Sequence, residues 1–301
     1  MIDGIINVYK ESGYTSFDVV AKLRGILKQK KIGHTGTLDP MACGVLIVCL
    51  GKATKLVDIL ISSSKEYTAT MKLGLSTDTE DITGEILGES DIWKDLSDEY
   101  IKSVVESFVG SYEQLPPMYS AIKKDGKKLY EYAREGIEIK RDKRPVEIIS
   151  IKDISVEKPY VHFTVKCSKG TYIRSLCRDI GGKLGCGAVM SGLLRNELHG
   201  MTVDCAYKLS DIESLRDEDR LSECIIPMDV LLEDYRRLNI KRTSSKLLIN
   251  GNKLTLYSFV EGEDITACDG ELFRIYEDNK LIALYKYMAD DDILKPYKML
   301  L

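Results

Sequence analysis

The sequence predicts an α+β protein: a large part mixing helices and strands, then a small all-β companion. Three observations lead there. Residues 67–73 and 161–167 alternate apolar and polar side chains with the period of half-buried strands. Between such stretches, residues 16–27, 98–109 and 172–184 carry apolar side chains at helical spacing. After Tyr235 the pattern turns to short strand-like runs separated by polar turns such as Asp269-Gly270 and Asp278-Asn279.

The chain has 301 residues, enough for one large domain with a smaller partner. Apolar residues make up 44%, which supplies a core, and 30% charged residues argue for a well-solvated, ordered chain. The net charge of −4 gives no global pull toward nucleic acid, so any such contact must come from local patches. Eight cysteines occur without a CxxC pair and with only three histidines, a poor basis for a zinc site. Most of the cysteines lie in apolar stretches and read as reduced, buried thiols of a cytoplasmic protein. Residues 1–10 lack the basic-then-apolar pattern of a signal peptide. The longest apolar run, 41–50, is too short to span a bilayer.

In order along the chain, residues 4–9 read as a short buried strand. Ser16 is the expected N-cap of the first helix, with Phe17, Val20, Leu23, Ile26 and Leu27 facing inward and Lys22, Arg24 and Lys28 outward. Residues 45–50 form a fully apolar strand, and Tyr67, Ala69, Met71 and Leu73 make the buried face of the next. A helix over 98–109 is stopped by Gly110. A basic insertion follows over about 114–144, densest at 122–144, with Tyr130 and Tyr132 among the cations. Its charge is too high to bury, so it is expected to be mobile rather than core. Val161, Phe163, Val165 and Cys167 line another strand, ended by Ser168-Lys169-Gly170. The helix over 172–184 has Gly185 as its stop. Residues 210–234 are acidic and helical in pattern, and 254–260, 272–276 and 281–287 are strands of the companion. No internal repeat is present.

Chemistry concentrates in residues 33–44, GHTGTLDPMACG. These put the His34 imidazole, two hydroxyls and the Asp39 carboxylate on a glycine-punctuated loop directly before an apolar strand. Asp39-Pro40 alone would only start a turn. Gly33 and Gly36, however, let the backbone approach a ligand, and a carboxylate at the edge of a core can be used on it. The Gly33–Gly36 spacing fits the GxxG clamp of KH domains, but a strand rather than a helix follows. It is not a phosphate loop either: Gly51-Lys52 is followed by Ala53, and Leu46 stands where glycine is required.

Residues 33–44 closely resemble the uridine-binding, catalytic-aspartate motif of the bacterial TruB-type tRNA pseudouridine(55) synthases. Further blocks match that family in order: GKATKL at 51–56, KEY at 65–67, STDTED at 76–81 and PMYSAIK at 117–123. GKKLYEYAR at 126–134, CSKGTYIR at 167–174 and LGCGA at 184–188 follow. The resemblance implies a pseudouridine synthase fold with a mixed, largely antiparallel sheet over residues 1–232. A small PUA-like RNA-binding β domain over 233–301 follows, for which residues 243–245 and 250–252 are the best points of contact. Two departures stand out. Glu11 follows Lys10 where the family has proline, and Leu194-Arg195 replaces a pair of arginines.

Position by position, the resemblance makes Asp39 the catalytic aspartate, Tyr67 the tyrosine that stacks on the uracil and handles a proton, and Arg174 the arginine paired with the aspartate. Tyr172 and Leu193 match residues lining the uracil pocket. His34 matches a histidine that takes the place of the extruded base, and Lys10 a lysine with a supporting role. His162 and His199 have no such context and read as structural.

The reaction so implied breaks the N1–C1′ bond of uridine, turns the base and rejoins it through C5. The product is an isomer, so no cofactor and no metal is called for. Asp39 could add to C6, add to C1′, or assist loss of a C2′ proton. Desolvation would raise its pKa, and Arg174 is expected to oppose that and keep the carboxylate charged. The implied partner is tRNA, reached by flipping uridine 55 out of the T-loop. The basic insertion and residues 22–31 would contact phosphates. A monomer with no membrane association is expected. A related synthase for another RNA, a non-catalytic RNA-binding protein and a hydrolase using Asp39 as nucleophile are the competing readings.

Overall fold

The computed structural model describes residues 1–61, 63–260 and 266–301. From the N-terminus, β1 (Gly4–Lys10) leads to α1 (Ser16–Ile26), then β2 (Ile32–His34) and β3 (Cys43–Leu50). β3 is covered on both faces, Val45, Ile47 and Cys49 on one and Leu46, Val48 and Leu50 on the other. Its sequence is therefore apolar without alternation. α1 is capped by Thr15 rather than Ser16. The Thr15 hydroxyl accepts from the Asp18 amide, and the Asp18 carboxylate accepts from the Thr15 amide. Ser16, Val19, Val20, Leu23 and Ile26 are buried at i, i+3, i+4 spacing. Phe17, expected inside, lies off that stripe, 64% exposed beside the Arg24 guanidinium.

Short α2 (Val57–Ile61) precedes β4 (Lys65–Leu73), whose Tyr67, Ala69, Met71 and Leu73 are buried as expected. β5 (Leu75–Thr77) and β6 (Ile86–Glu89) form a hairpin. α3 (Asp98–Glu106), capped by Ser97, stops before the expected Val109. Gly110 is not its terminator but the first residue of β7 (Gly110–Gln114). The basic insertion, expected to be mobile rather than core, contains the hairpin β8 (Lys123–Lys124) and β9 (Lys127–Lys128) and then α4 (Leu129–Arg134). Leu129 anchors it, 2% exposed, while Lys127 and Lys128 stay outside against the Tyr132 and Tyr130 rings. Most of its charge stays solvated, while Arg141, its side chain 16% exposed, donates to the Pro116 carbonyl and lies 3.9 Å from Glu80.

β10 (Arg144–Glu157) and β11 (Tyr160–Cys167) form a long hairpin. α5 (Ile173–Leu184) has Tyr172 as N-cap and closes on Gly185 at φ 77°. It lays Leu176, Cys177, Ile180 and Leu184 on the sheet, each such burial being worth about 1.5–3 kcal/mol. β12 (Ala188–Leu198) and β13 (Met201–Thr202) follow, then α6 (Leu209–Asp217). The helix expected to run on to 234 ends there, and the remainder forms short 3-10 turns.

Among the described residues the main sheet has nine strands. Its path is β1-β3-β12-β4-β11-β10-β7, with β2 on β3 and β13 on β12. Every pairing is antiparallel except β12 with β3, which meet in parallel at Leu194–Cys43 and Arg195–Gly44. The architecture is thus α+β around a mixed, largely antiparallel sheet. Gly44 is needed at the parallel joint. Its φ is +104°, and a Cβ there would lie 2.3 Å from the Arg195 carbonyl oxygen.

β14 (Arg236–Asn239), α7 (Ser245–Ile249), β15 (Leu254–Thr255), β16 (Leu272–Glu277), β17 (Lys280–Met288) and β18 (Ile293–Met299) make up the small β part. Its sheet runs β14-β16-β17-β18-β15. The strand expected over 254–260 stops at Thr255 because Leu256–Ser258 coil into a 3-10 turn. Leu238, Phe273, Ile275, Tyr285 and Leu294 fill its own core. Tyr276, Leu281, Leu284 and Leu300 instead join Ile5, Val45 and Ile47, so the two sheets share an apolar contact. Five cysteines are buried and Cys43 half-buried, while Cys205 and Cys268 are exposed. No helix among the described residues is long and apolar enough to cross a membrane.

Candidate active site

Between β2 and β3 the chain makes the loop that carries Asp39, and its backbone is fastened at several points. The Thr35 amide donates to the Ile47 carbonyl at 3.0 Å and the Leu38 amide to the Ser16 hydroxyl at 2.9 Å. The Gly13 amide donates to the Pro40 carbonyl at 2.8 Å. Leu38 plugs into the core at 3% exposure. The Asp39 side chain is left 31% exposed, desolvated on one side and reachable on the other.

Arg174, in the first turn of α5, meets it there. Its Nε lies 2.9 Å from Asp39 Oδ2 and its Nη2 donates to Oδ1 at 3.0 Å, a bidentate pair. The same guanidinium donates to the Thr79 carbonyl at 3.1 Å and the Tyr119 carbonyl at 2.9 Å, with Asp81 at 3.9 Å. A cation at a helix N-terminus is mildly disfavoured by the dipole, and the carboxylate offsets this. Arg174 was expected to oppose the effect of burial and keep the carboxylate charged. The opposition is there, but it does not cancel the burial effect. Burial pushes the carboxyl up, the Arg174 charge and hydrogen bond only partly oppose it, and nearby Asp81 adds to the rise.

Tyr67 sits on β4 at 7% exposure, with its phenol raised by burial while Arg195 opposes. Leu193 faces Ala69 across β12 and β4, half-buried against the cluster that holds Tyr67. Tyr172 is fixed through its backbone: its amide donates to Gln114 Oε1 at 2.8 Å, and its carbonyl accepts from Gln114 Nε2 at 3.1 Å. Its phenol is raised by burial, with Arg174 and Asp39 both close enough to act on it. Arg174, Tyr67 and Tyr172 are thus gathered within electrostatic reach of Asp39.

His34 closes β2 on the other side of the loop, and among the described residues no hydrogen bond or ion pair joins it to Asp39. Its Nδ1 is buried without a partner, and burial plus the Arg195 charge lower its pKa, so the ring is neutral near pH 7. Lys10 is 0% exposed. Its Nζ donates to the carbonyls of Tyr14 at 2.6 Å, Glu11 at 3.1 Å and Pro40 at 3.2 Å. Burial lowers the amine to about 8. All three donors are spent beneath the Asp39-Pro40 turn, so Lys10 supports that turn from a position no substrate can reach. His162 binds the Thr70 hydroxyl, and His199 bridges Ser63 and the Leu231 carbonyl, both structural roles.

Of two buried polar residues, sequence reading missed one, Gln114, and named the other, Arg195, only as part of a departure from the family, without a role. Gln114, 1% exposed, stands alone at the end of β7 with no pattern to mark it. Arg195, also 1% exposed, lies on β12, a strand the sequence reading passed over. An arginine closing the largely apolar run 188–194 was the available signal. Next to Arg174 lies a cavity of about 690 Å³, between the insertion and the β5–β6 hairpin. Asp78, Glu80, Tyr119, Arg141 and Arg178 line it, and Arg178 pairs with Glu80. Asp39 is not among its lining residues.

A family model described as "TruB family pseudouridylate synthase (N terminal domain)" matches residues 24–173, and one described as "tRNA pseudouridylate synthase B C-terminal domain" matches residues 174–233. The chain is similar to tRNA pseudouridine synthase B of Clostridium tetani (strain Massachusetts / E88), 46% identical over 286 residues that cover 94% of this chain and 95% of the relative. It is equally similar to that of Clostridium novyi (strain NT), 46% identical over 301 residues and 100% of both chains. Among solved structures it resembles a chain of "Crystal Structure of a Cbf5-Nop10-Gar1 Complex", with a TM-score of 0.75 and 29% identity over 99% of this chain and 85% of that one.

Proposed function

The chain belongs to the TruB family of pseudouridylate synthases and forms pseudouridine in tRNA, and from that premise we propose that Asp39, Tyr67 and Arg174 carry the reaction, at uridine 55 of the T-loop. The bidentate Arg174–Asp39 pair is the observation that supports this most strongly. It holds one carboxylate in a fixed orientation at the edge of a core, partly stripped of water and still reachable.

The reaction breaks N1–C1′ and makes C5–C1′. N1 ends with a proton and C5 gives one up. Asp39 acts ionised on C6, on C1′ or on the C2′ proton, and each route passes negative charge to the base. Tyr67 offers a face to the uracil and a phenol to handle the proton. Tyr172 and Leu193 close the pocket around the ring. Flipping the base costs a few kcal/mol, and insertion of the neutral His34 ring offsets part of it. Lys10 holds the Asp39-Pro40 turn.

Residues 1–232 form the catalytic part in this reading and 233–301 a PUA-like RNA-binding part. The protein acts as a cytoplasmic monomer. Lysines and arginines of the insertion and of residues 22–31 contact phosphates, so binding weakens with salt. The test is incubation with an unmodified tRNA transcript, without any added cofactor, followed by mapping of pseudouridine. Product at the T-loop uridine supports the reading. Product elsewhere, or in another RNA only, overturns the choice of substrate.

A further inference from the structure

One row of residues crosses the sheet beside the Asp39 loop. Lys10 of β1 pairs with Gly44 of β3, Gly44 with Arg195 of β12, and Arg195 with Tyr67 of β4. Register partners of this kind project from the same face and lie within reach of one another. Arg195 is the bulkiest of the fully buried side chains. Its Nε donates to the Val45 carbonyl at 2.6 Å and its Nη2 to the Gly36 carbonyl at 3.3 Å. Those carbonyls stand on opposite flanks of Asp39, Gly36 near the start of the loop and Val45 in β3 just after it. A single guanidinium therefore ties both ends of the loop to the strand carrying Leu193.

Charge is the second observation. Among the described residues, Arg195 forms no ion pair with a carboxylate, although a buried arginine is normally matched by one. Its charge instead reaches Tyr67, His34, Lys10 and Lys65, and at Tyr67 it opposes the effect of burial. Such a cation carries a desolvation penalty that its surroundings must offset. Negative charge gathers on the base during the reaction, and a phenol flanked by a cation is the better proton donor to it.

We infer that Arg195 is a positioning residue for pseudouridine formation: it staples both flanks of the Asp39 loop and holds a fixed positive charge beside the Tyr67 phenol. It does not touch the substrate and acts through those two groups, so the inference rests on the roles given to Asp39 and Tyr67 above.

The test is a double-mutant cycle in single-turnover assays on a tRNA transcript, using Arg195→Met, Arg195→Lys and Tyr67→Phe. Arg195→Met should slow the step by about 100-fold while tRNA affinity changes by no more than about threefold. Arg195→Lys, which keeps the charge, should recover about tenfold of that loss. In the Tyr67→Phe background the same Met substitution should cost at least about fivefold less. Equal losses in both backgrounds, or a loss confined to tRNA affinity or melting temperature, overturn the inference. Should the Met variant not fold, the cycle is run with Lys and the same criterion decides. Wild-type protein is assayed alongside, so a failure of the substrate assignment appears there and is not confused with this one.

Discussion

Arg174→Met removes three hydrogen bonds at once, to Asp39 Oδ1 and to the Thr79 and Tyr119 carbonyls, together with the Nε–Oδ2 ion-pair contact. The pair on Asp39 bears on the rate. The charge centres of such a pair are about 4 Å apart, and at an effective dielectric of about 20 they attract by about 4 kcal/mol. With the Asp39 side chain 31% exposed, water screens that, and about 2 kcal/mol is a reasonable remainder. Burial already raises the Asp39 carboxyl above its ordinary value, and losing the Arg174 charge and hydrogen bond raises it further. Only the ionised form reacts, so activity is lost as pH falls through that raised value. The assay is single-turnover pseudouridine formation from about pH 5 to 9. The variant's acid limb should lie at higher pH than that of the wild type, with a loss of activity at neutral pH. Limbs that superimpose after scaling would refute the reasoning, because Arg174 would then not govern the charge on Asp39.

Asp39→Asn should bind tRNA within about threefold of wild type and form no pseudouridine; near-normal turnover would remove Asp39 from the chemistry. Binding of tRNA should weaken by about tenfold or more between about 50 and 200 mM salt in spite of the acidic total charge, and a flat response would remove the phosphate contacts. Lys10 and Lys65 are both lowered by burial to about 8. In a lysine side-chain NMR titration, two resonances should therefore move near pH 8, one vanishing in Lys10→Met and the other in Lys65→Met. Between that value and the normal lysine range the unfolded chain binds the extra protons, so stability from these two groups rises with pH across the window. Gly44→Ala combines a left-handed φ with a Cβ 2.3 Å from a carbonyl oxygen. It should lower stability by about 3 kcal/mol or more in urea unfolding, and a loss below about 1 kcal/mol would contradict the tight joint.

Much of this was legible in the chain. β4, β11 and α5 show their period directly because one face of each is buried and the other solvated. The Asp39 loop announces itself through its glycines and its place before an apolar strand. β10 and β12 were not seen, for different reasons. β10 runs 144–157 with charged and apolar residues interleaved irregularly around register shifts. β12 mixes small, apolar and polar residues because it is packed between two strands at a bulge and a parallel joint. Phe17 misled because helical spacing alone does not tell which of two adjacent stripes is buried. The pairing of Arg174 with Asp39 followed from family resemblance. That burial outweighs the pair in the net shift of Asp39 required the packing itself, since desolvation depends on neighbours that no local pattern names.

β12 also has a consequence for biosynthesis. It lies between β3 and β4, which are consecutive in the chain, and so these two cannot be bridged until residue 198 has been made. Asp39 and Arg174 are separated by 135 residues of chain. On the ribosome, the emerging N-terminal segment holds its carboxylate long before the guanidinium and the closing strand arrive, and such long-range closure is slow. An unfinished polypeptide therefore lacks the Asp39–Arg174 pair, which assembles only with the translation of the second half.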